Sequence, residues 1–193
     1  MKQILKLGIV LFLVCALVAA VLGGVNELTA ERIEALNAKK TQEAYSTVLP
    51  SLEGYQVLQD EAYSLDANGQ KIKILTLSES NSGQGYVVET QFAGAQGEIT
   101  MVVGVDKELR CTGISIIKHA ETSGLGANAA SSAEVGRVFR AQFIGKNGGL
   151  ALRKNGGEID ALSGATITSR CIVNATAAAI LAVQNLLEGG SPA

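Results

Sequence analysis

With 193 residues and a formal net charge of −2, the chain has room for one domain plus an appendage, but not for two full domains. Hydrophobic residues make up 47% of it and aromatics only 4%, with no Trp, so the apolar excess is aliphatic. The absence of any Lys/Arg cluster excludes a nucleic-acid-binding face, and one histidine (His119) with three scattered cysteines (Cys15, Cys111, Cys171) excludes a zinc or iron–sulfur centre built by this chain alone.

Much of the aliphatic excess lies at the start. No residue between Lys6 and Glu27 is charged, and Leu7 to Asn26 as a helix would span about 30 Å, the thickness of a bilayer's hydrocarbon core. Lys2 and Lys6 precede this stretch, whereas Glu27 and Arg32 follow it. The short N-terminal flank is the positive one. The expected arrangement is therefore a single-pass anchor in the cell's inner or plasma membrane, N-terminus cytoplasmic, with the C-terminal domain extracytoplasmic. A cleaved signal peptide with Val18 and Ala20 at its cleavage site is the alternative, and the length of the stretch favours a retained anchor.

Thr29 reads as an N-cap, and Ile33, Leu36, Ala44, Val48 and Leu49 form a loose helical stripe that Pro50 would stop. Residues 27–50 are assigned to a helical stalk, with a surface helix of the domain as the other reading. The division is thus 1–26 cytoplasmic end and span, 27–50 stalk, 51–193 extracytoplasmic domain.

From Tyr55 the pattern becomes short. Gln70–Leu77 alternates after an Asn68-Gly69 turn, Gly85–Phe92 and Gly97–Val105 follow as strands, and Cys111–Lys118 is a fourth. Ser131–Phe143 reads as a helix with Val135, Val138 and Phe139 on one face. Leu150–Arg153 reads as a short strand between two Asn-Gly-Gly turns. Ile167–Leu187 is a long Ala-rich helix packing through Ile172, Ile180, Leu181, Val183 and Leu187. Antiparallel strands closed by helices give an α+β fold. Cys111 and Cys171 are either a pair in an oxidising compartment or buried free thiols.

Asp160-Ala161-Leu162-Ser163-Gly164-Ala165-Thr166-Ile167-Thr168-Ser169 places small residues and hydroxyls directly before the last helix. Free amides at a helix start attract an anion, and small residues let a phosphate approach. A plain Ser/Thr helix cap is the competing reading on the residues alone. A Ser163–His119–acid hydrolase triad lacks the G-x-S-x-G elbow that would expose the nucleophile.

The DxxSGAT pattern from Asp160 to Thr166, with Thr168 two positions on, resembles the flavinylation motif of the FMN-binding domain family. The resemblance implies a covalent FMN on Thr166 through its phosphate, with Asp160, Ser163, Gly164, Ala165 and Thr168 forming the motif around it. His119-Ala120-Glu121-Thr122-Ser123-Gly124-Leu125-Gly126 resembles the family's H-x-E-T-P-G-L-G loop, Ser123 standing where Pro is usual. It implies that His119, Glu121, Thr122, Gly124, Leu125 and Gly126 lie against the flavin. The length and single N-terminal span resemble the RnfG family, the G subunits of Rnf complexes. That likeness implies an electron carrier, not catalytic alone, in an ion-translocating ferredoxin:NAD oxidoreductase. Its implied partners are the other membrane subunits, lipid, and a flavin transferase during maturation. The contrasting expectation is a membrane-anchored extracytoplasmic scaffold or binding domain without a redox cofactor.

Overall fold

The uncharged N-terminal stretch is helical in the computed structural model, which describes residues 2–49, 54–147 and 149–189. Helix α1 (Lys2–Val48) runs without a break. The chain divides into two compact units between Lys40 and Thr41. In the first unit, Lys6–Ala30 is long and apolar enough to cross a membrane. Leu7, Leu11, Phe12, Leu17 and Leu22 all stand exposed, an arrangement that asks for apolar surroundings. Thr29 does not cap a new helix as its residue type suggests. Its Oγ1 donates back to the carbonyls of Val25 (2.8 Å) and Asn26 (3.2 Å), because no helix breaker separates it from the apolar stretch. Pro50, the expected stop, lies outside the described residues, as does Gly148 of the first Asn-Gly-Gly turn.

The second unit is built on one antiparallel sheet: β1 (Tyr55–Gln59), β2 (Tyr63–Ala67), β3 (Gln70–Ser80), β4 (Gly85–Ala93), β5 (Glu98–Asp106) and β6 (Cys111–His119). The order is β1-β3-β4-β5-β6, with β2 also pairing β3. Asn68 (φ 54) and Gly69 (φ 76) make the β2–β3 hairpin turn, the left-handed pair that an Asn-Gly dipeptide favours. β1 escapes a reading by periodicity because its side chains stay mostly exposed, whereas β2 alternates over only five residues, Tyr63, Leu65 and Ala67 turned to the core and Ser64 and Asp66 exposed.

Both faces of the sheet are covered. Helix α3 (Thr166–Leu187) packs across one face, where Val88, Met101, Val103 and Ile114 meet Ile172, Ala175, Ala179 and Val183. It is also apolar enough to span a membrane, but 72% of it is buried, which makes it the core helix of this unit. Leu181 and Leu187, expected in the packing, instead stand exposed. On the other face Ala44, Tyr45, Val48 and Leu49 cover Val87 and Val102. Residues 41–48, within the 27–50 segment, therefore pack on the sheet, whereas Ile33 and Leu36 are exposed. Paired glycines make this possible: Gly104 and Gly113 sit opposite each other beneath Val48, and Thr112 Oγ1 donates to the Val48 carbonyl (2.5 Å).

After β6 the chain forms a 3₁₀ turn (Gly126–Ala130) and helix α2 (Glu134–Ala141). The helix starts later than Ser131 because Ser131 Oγ accepts the amide of Ala133 (3.1 Å), a local turn that competes with helix. Phe139 is buried against Phe143, but Val135 and Val138 face outward. The strand expected at Leu150–Arg153 shrinks to a single parallel bridge, Leu152–Ile159, and a 3₁₀ turn at Arg153–Asn155. Left-handed Gly156 (φ 85) turns the chain back before a ladder can extend. Cys111 and Cys171 are buried and free.

Candidate functional site

The Ser-Gly-Ala-Thr segment is a tight turn into α3. Gly164 takes a left-handed conformation (φ 71), and the amide of Ala165 returns to the Leu162 carbonyl (3.0 Å). Ser169 locks this turn from one helical turn later. Its Oγ accepts the amide of Leu162 (3.0 Å) and donates to the carbonyl of Ala165 (2.9 Å). The next hydroxyl, Thr168 Oγ1, donates to Glu121 Oε2 (2.5 Å). Thr166 differs from both. It opens α3, is half-buried, and its hydroxyl has no partner among the described residues. The amides of Thr166, Ile167 and Thr168 likewise find no acceptor among them, so the positive end of α3 is unclaimed.

Glu121 organises the opposite wall. It follows β6, is buried, and its Oε1 accepts the amides of Ala95 (2.8 Å) and Gln96 (3.1 Å) in the β4–β5 turn. Gly126 lies against the Glu121–Thr168 contact so closely that a Cβ there would stand 2.7 Å from Thr168 Oγ1. The loop between them is held by the amides of Leu125 and Ala127, which both donate to the Thr122 carbonyl (3.2 Å each). Asn128 Nδ2 donates to the carbonyl of left-handed Gly124 (2.8 Å).

These segments enclose a cleft of about 390 Å³, lined by Ala95, Gln96, Glu121, Thr122, Leu125, Gly126, Gly164, Ala165, Thr166, Ile167 and Thr168. That volume falls within the range of roughly 300–1,000 Å³ typical of small-molecule sites. Leu125 and Ile167 present exposed aliphatic side chains beside it.

Four sequence-selected residues, Asp160, Ser163, His119 and Gly124, lie apart from the cleft lining. Asp160 makes a two-point, solvent-exposed pair with Arg153 (2.6 and 2.9 Å), while the Gln142 side chain bonds its backbone amide and carbonyl. Ser163 is exposed and lines a separate groove with Val135, Val138 and Asp160. His119 ends β6 paired with Ile99, its Nδ1 buried and without a partner. Ala95, Gln96 and Ile167 were not selected from the sequence. The two closely spaced glycines of Gly94-Ala95-Gln96-Gly97 were the available signal, since the Gly94 amide closes that turn on the Gly97 carbonyl (2.7 Å).

The FMN-binding domain family matches residues 94–181, which contain the cleft, and the RnfG N-terminal region matches residues 1–48. The chain is 32% identical to the G subunit of the ion-translocating oxidoreductase complex of Methanosarcina acetivorans, over 93% of this chain and 94% of that one. It is 29% identical to the G subunit of the Na(+)-translocating ferredoxin:NAD(+) oxidoreductase complex of Acetobacterium woodii, over 96% and 94%. Among solved structures it shares its fold with the C subunit of the Na(+)-translocating NADH-quinone reductase of Parabacteroides distasonis. The TM-score is 0.50 at 19% identity, covering 80% of this chain and 95% of that one.

Proposed function

The chain belongs to the RnfG family, the G subunits of ion-translocating oxidoreductase complexes, and on that premise we propose that it is the electron-carrying subunit of a membrane-bound ferredoxin:NAD oxidoreductase, with FMN esterified to Thr166. One observation carries the attachment point. Of the three hydroxyls at the start of α3, Ser169 and Thr168 are committed to protein partners, and only Thr166 is free at the cleft.

The residues present suit the group. The free amides of 166–168 and the positive end of α3 would hold the phosphodiester, a stabilisation of about 0.3–1 kcal/mol from the helix dipole. Left-handed Gly164 lets the chain turn tightly beside it. Leu125 and Ile167 offer apolar flanks for a flat ring, and the turn at Ala95-Gln96 closes the far side. Held there by these residues, FMN would supply one- and two-electron exchange, the chemistry a relay between carriers needs. Thr166 Oγ1 is the nucleophile in attachment: a flavin transferase delivers the FMN phosphoryl group from FAD. The Oγ1–P bond forms, the pyrophosphate P–O bond breaks, AMP leaves, and the hydroxyl proton passes to a base on the transferase. Asp160 and Ser163, on the outer side of the turn, are then contacts for the transferase rather than for the ring.

Lys6–Ala30 crosses the membrane in this reading, among lipid and the other subunits of the complex, with the N-terminus cytoplasmic and the FMN domain outside. A covalent bond suits a cofactor in a compartment that cannot resupply it.

In-gel flavin fluorescence of protein made beside a flavin transferase tests the attachment. Wild type and Ser163→Ala should fluoresce after denaturing electrophoresis, Ser163→Ala more weakly, and Thr166→Ala should be dark at equal protein. A fluorescent Thr166→Ala band would overturn it.

A further inference from the structure

We propose that Glu121 is a positioning residue of the cofactor cleft: its carboxylate ties the β4–β5 turn to the first turn of α3, and so fixes the position of the attachment point. The inference rests on the reading of this cleft as the flavin site.

Two segments far from Glu121 in sequence, and from each other, converge on this one buried side chain. Oε1 accepts two backbone amides, from Ala95 and Gln96, and Oε2 accepts the Thr168 hydroxyl. Both oxygens are therefore engaged with protein donors, and the carboxylate acts through them rather than as a ligand itself. Among the described residues no Lys or Arg forms an ion pair with Glu121, so hydrogen bonds hold the acid group. The carboxylate is boxed as well as bonded. A Cβ on Gly94 would collide with Oε1, and a Cβ on Gly126 with Oε2 and with Thr168 Oγ1. The two glycines leave room for a carboxylate in this one place.

The consequence follows from the spacing along α3. Thr168 is two residues from Thr166, on the same helical turn. Pinning Thr168 to Glu121 holds the Thr166 hydroxyl at a set distance from the Ala95-Gln96 wall. Releasing the clamp frees the β4–β5 turn and lets α3's first turn fray, while the distal sheet is untouched.

The test uses the full chain in detergent, with and without flavin, read by amide hydrogen exchange and by flavin fluorescence anisotropy. In Glu121→Ala, exchange at Ala95 and Gln96 should rise by about ten- to hundredfold, the loss expected for bonds to a charged acceptor, with β5 unchanged. Its flavin anisotropy should fall. Glu121→Gln should restore both signals towards wild type, because an amide oxygen still accepts the two N–H groups and its nitrogen donates to Thr168 Oγ1. Thr168→Val provides a second route should Glu121→Ala not fold: anisotropy falls, while Ala95 and Gln96 exchange as in wild type. Unchanged exchange in Glu121→Ala, or unchanged anisotropy in both Glu121→Ala and Thr168→Val, would overturn the clamp. The intact mass of the wild type separates this failure from the other: absence of flavin there defeats the cofactor reading itself.

Discussion

Substituting Gly126 by Ala tests how tightly the cleft wall is built. Gly126 does not sit at positive φ, so its constraint is spatial. An added methyl would lie 2.7 Å from Thr168 Oγ1, 3.0 Å from Glu121 Cβ, and nearer still to Oε2. Relief requires opening the Glu121–Thr168 hydrogen bond, about 1.5–3 kcal/mol for a charged acceptor, with a further cost of about 1–3 kcal/mol for overpacking. A net loss of about 2.5–6 kcal/mol is expected, a large share of the roughly 5–15 kcal/mol that holds a domain together. Gly124→Ala is the matched control. Gly124 is left-handed with no atom within 4 Å of an added Cβ, so it should lose only about 1–2 kcal/mol of backbone preference. Urea denaturation followed by far-UV circular dichroism measures both. Placing Gly126→Ala on a Thr168→Ala background removes one of the atoms it strikes and the bond that holds Glu121 Oε2 in its way, and a coupling of about 0.5–3 kcal/mol should appear. Strict additivity, or a Gly126→Ala no less stable than Gly124→Ala, would refute the packing argument.

Other predictions address the rest of the second unit. Gly104→Ala would drive a methyl into the Val48 carbonyl and Thr112 Oγ1, so thermal denaturation should show a loss of about 1–3 kcal/mol, and exchange in residues 44–49 should accelerate. Burial raises the carboxyl pKa of Glu89, the Thr76 hydroxyl bond only partly opposing it. With the folded pKa above the unfolded one, Glu89 contributes stability below the unfolded carboxylate pKa and loses it as pH rises through the folded value. Melting temperature against pH should therefore fall less steeply across that window in Glu89→Gln than in wild type. Burial pushes the Cys111 thiol up to about 12. Iodoacetamide at mildly alkaline pH should leave it unmodified in the native chain and modify it fully in guanidinium, as mass spectrometry would record.

What could be read from residue order alone follows a physical division. Strands β3 to β6 were legible because Asn68-Gly69, Gly94–Gly97 and Asp106–Arg110 punctuate apolar runs. β4 and β5 read as nearly continuous apolar stretches because α3 covers one face and residues 44–49 the other. That second cover was hidden: Ala44, Tyr45 and Val48 look like any helical stripe until Gly104 and Gly113 are seen to make a seat for them. At the site, Ser163 to Ser169 could be recognised as a hydroxyl-rich helix start, but composition cannot sort its hydroxyls. Only the fold commits Ser169 to the turn and Thr168 to Glu121, leaving Thr166 free. Asp160 and His119 are near in sequence to the cleft residues but not in its lining. Asp160 is drawn to Arg153 and Gln142, and His119 points its Nδ1 into a buried place without a partner. Ala95 and Gln96 contribute backbone amides, a role that no side-chain identity announces.

Attachment of the flavin at one atom, Thr166 Oγ1, can be read directly from a single peptide. Trypsin should release residues Asn155–Arg170 from the chain isolated with its native membrane partners. Fragmentation mass spectrometry of that peptide should find the mass of FMN less one water, placed on Thr166 and absent from Ser163, Thr168 and Ser169. The same peptide unmodified throughout, or modified at one of the other three hydroxyls, would contradict the account.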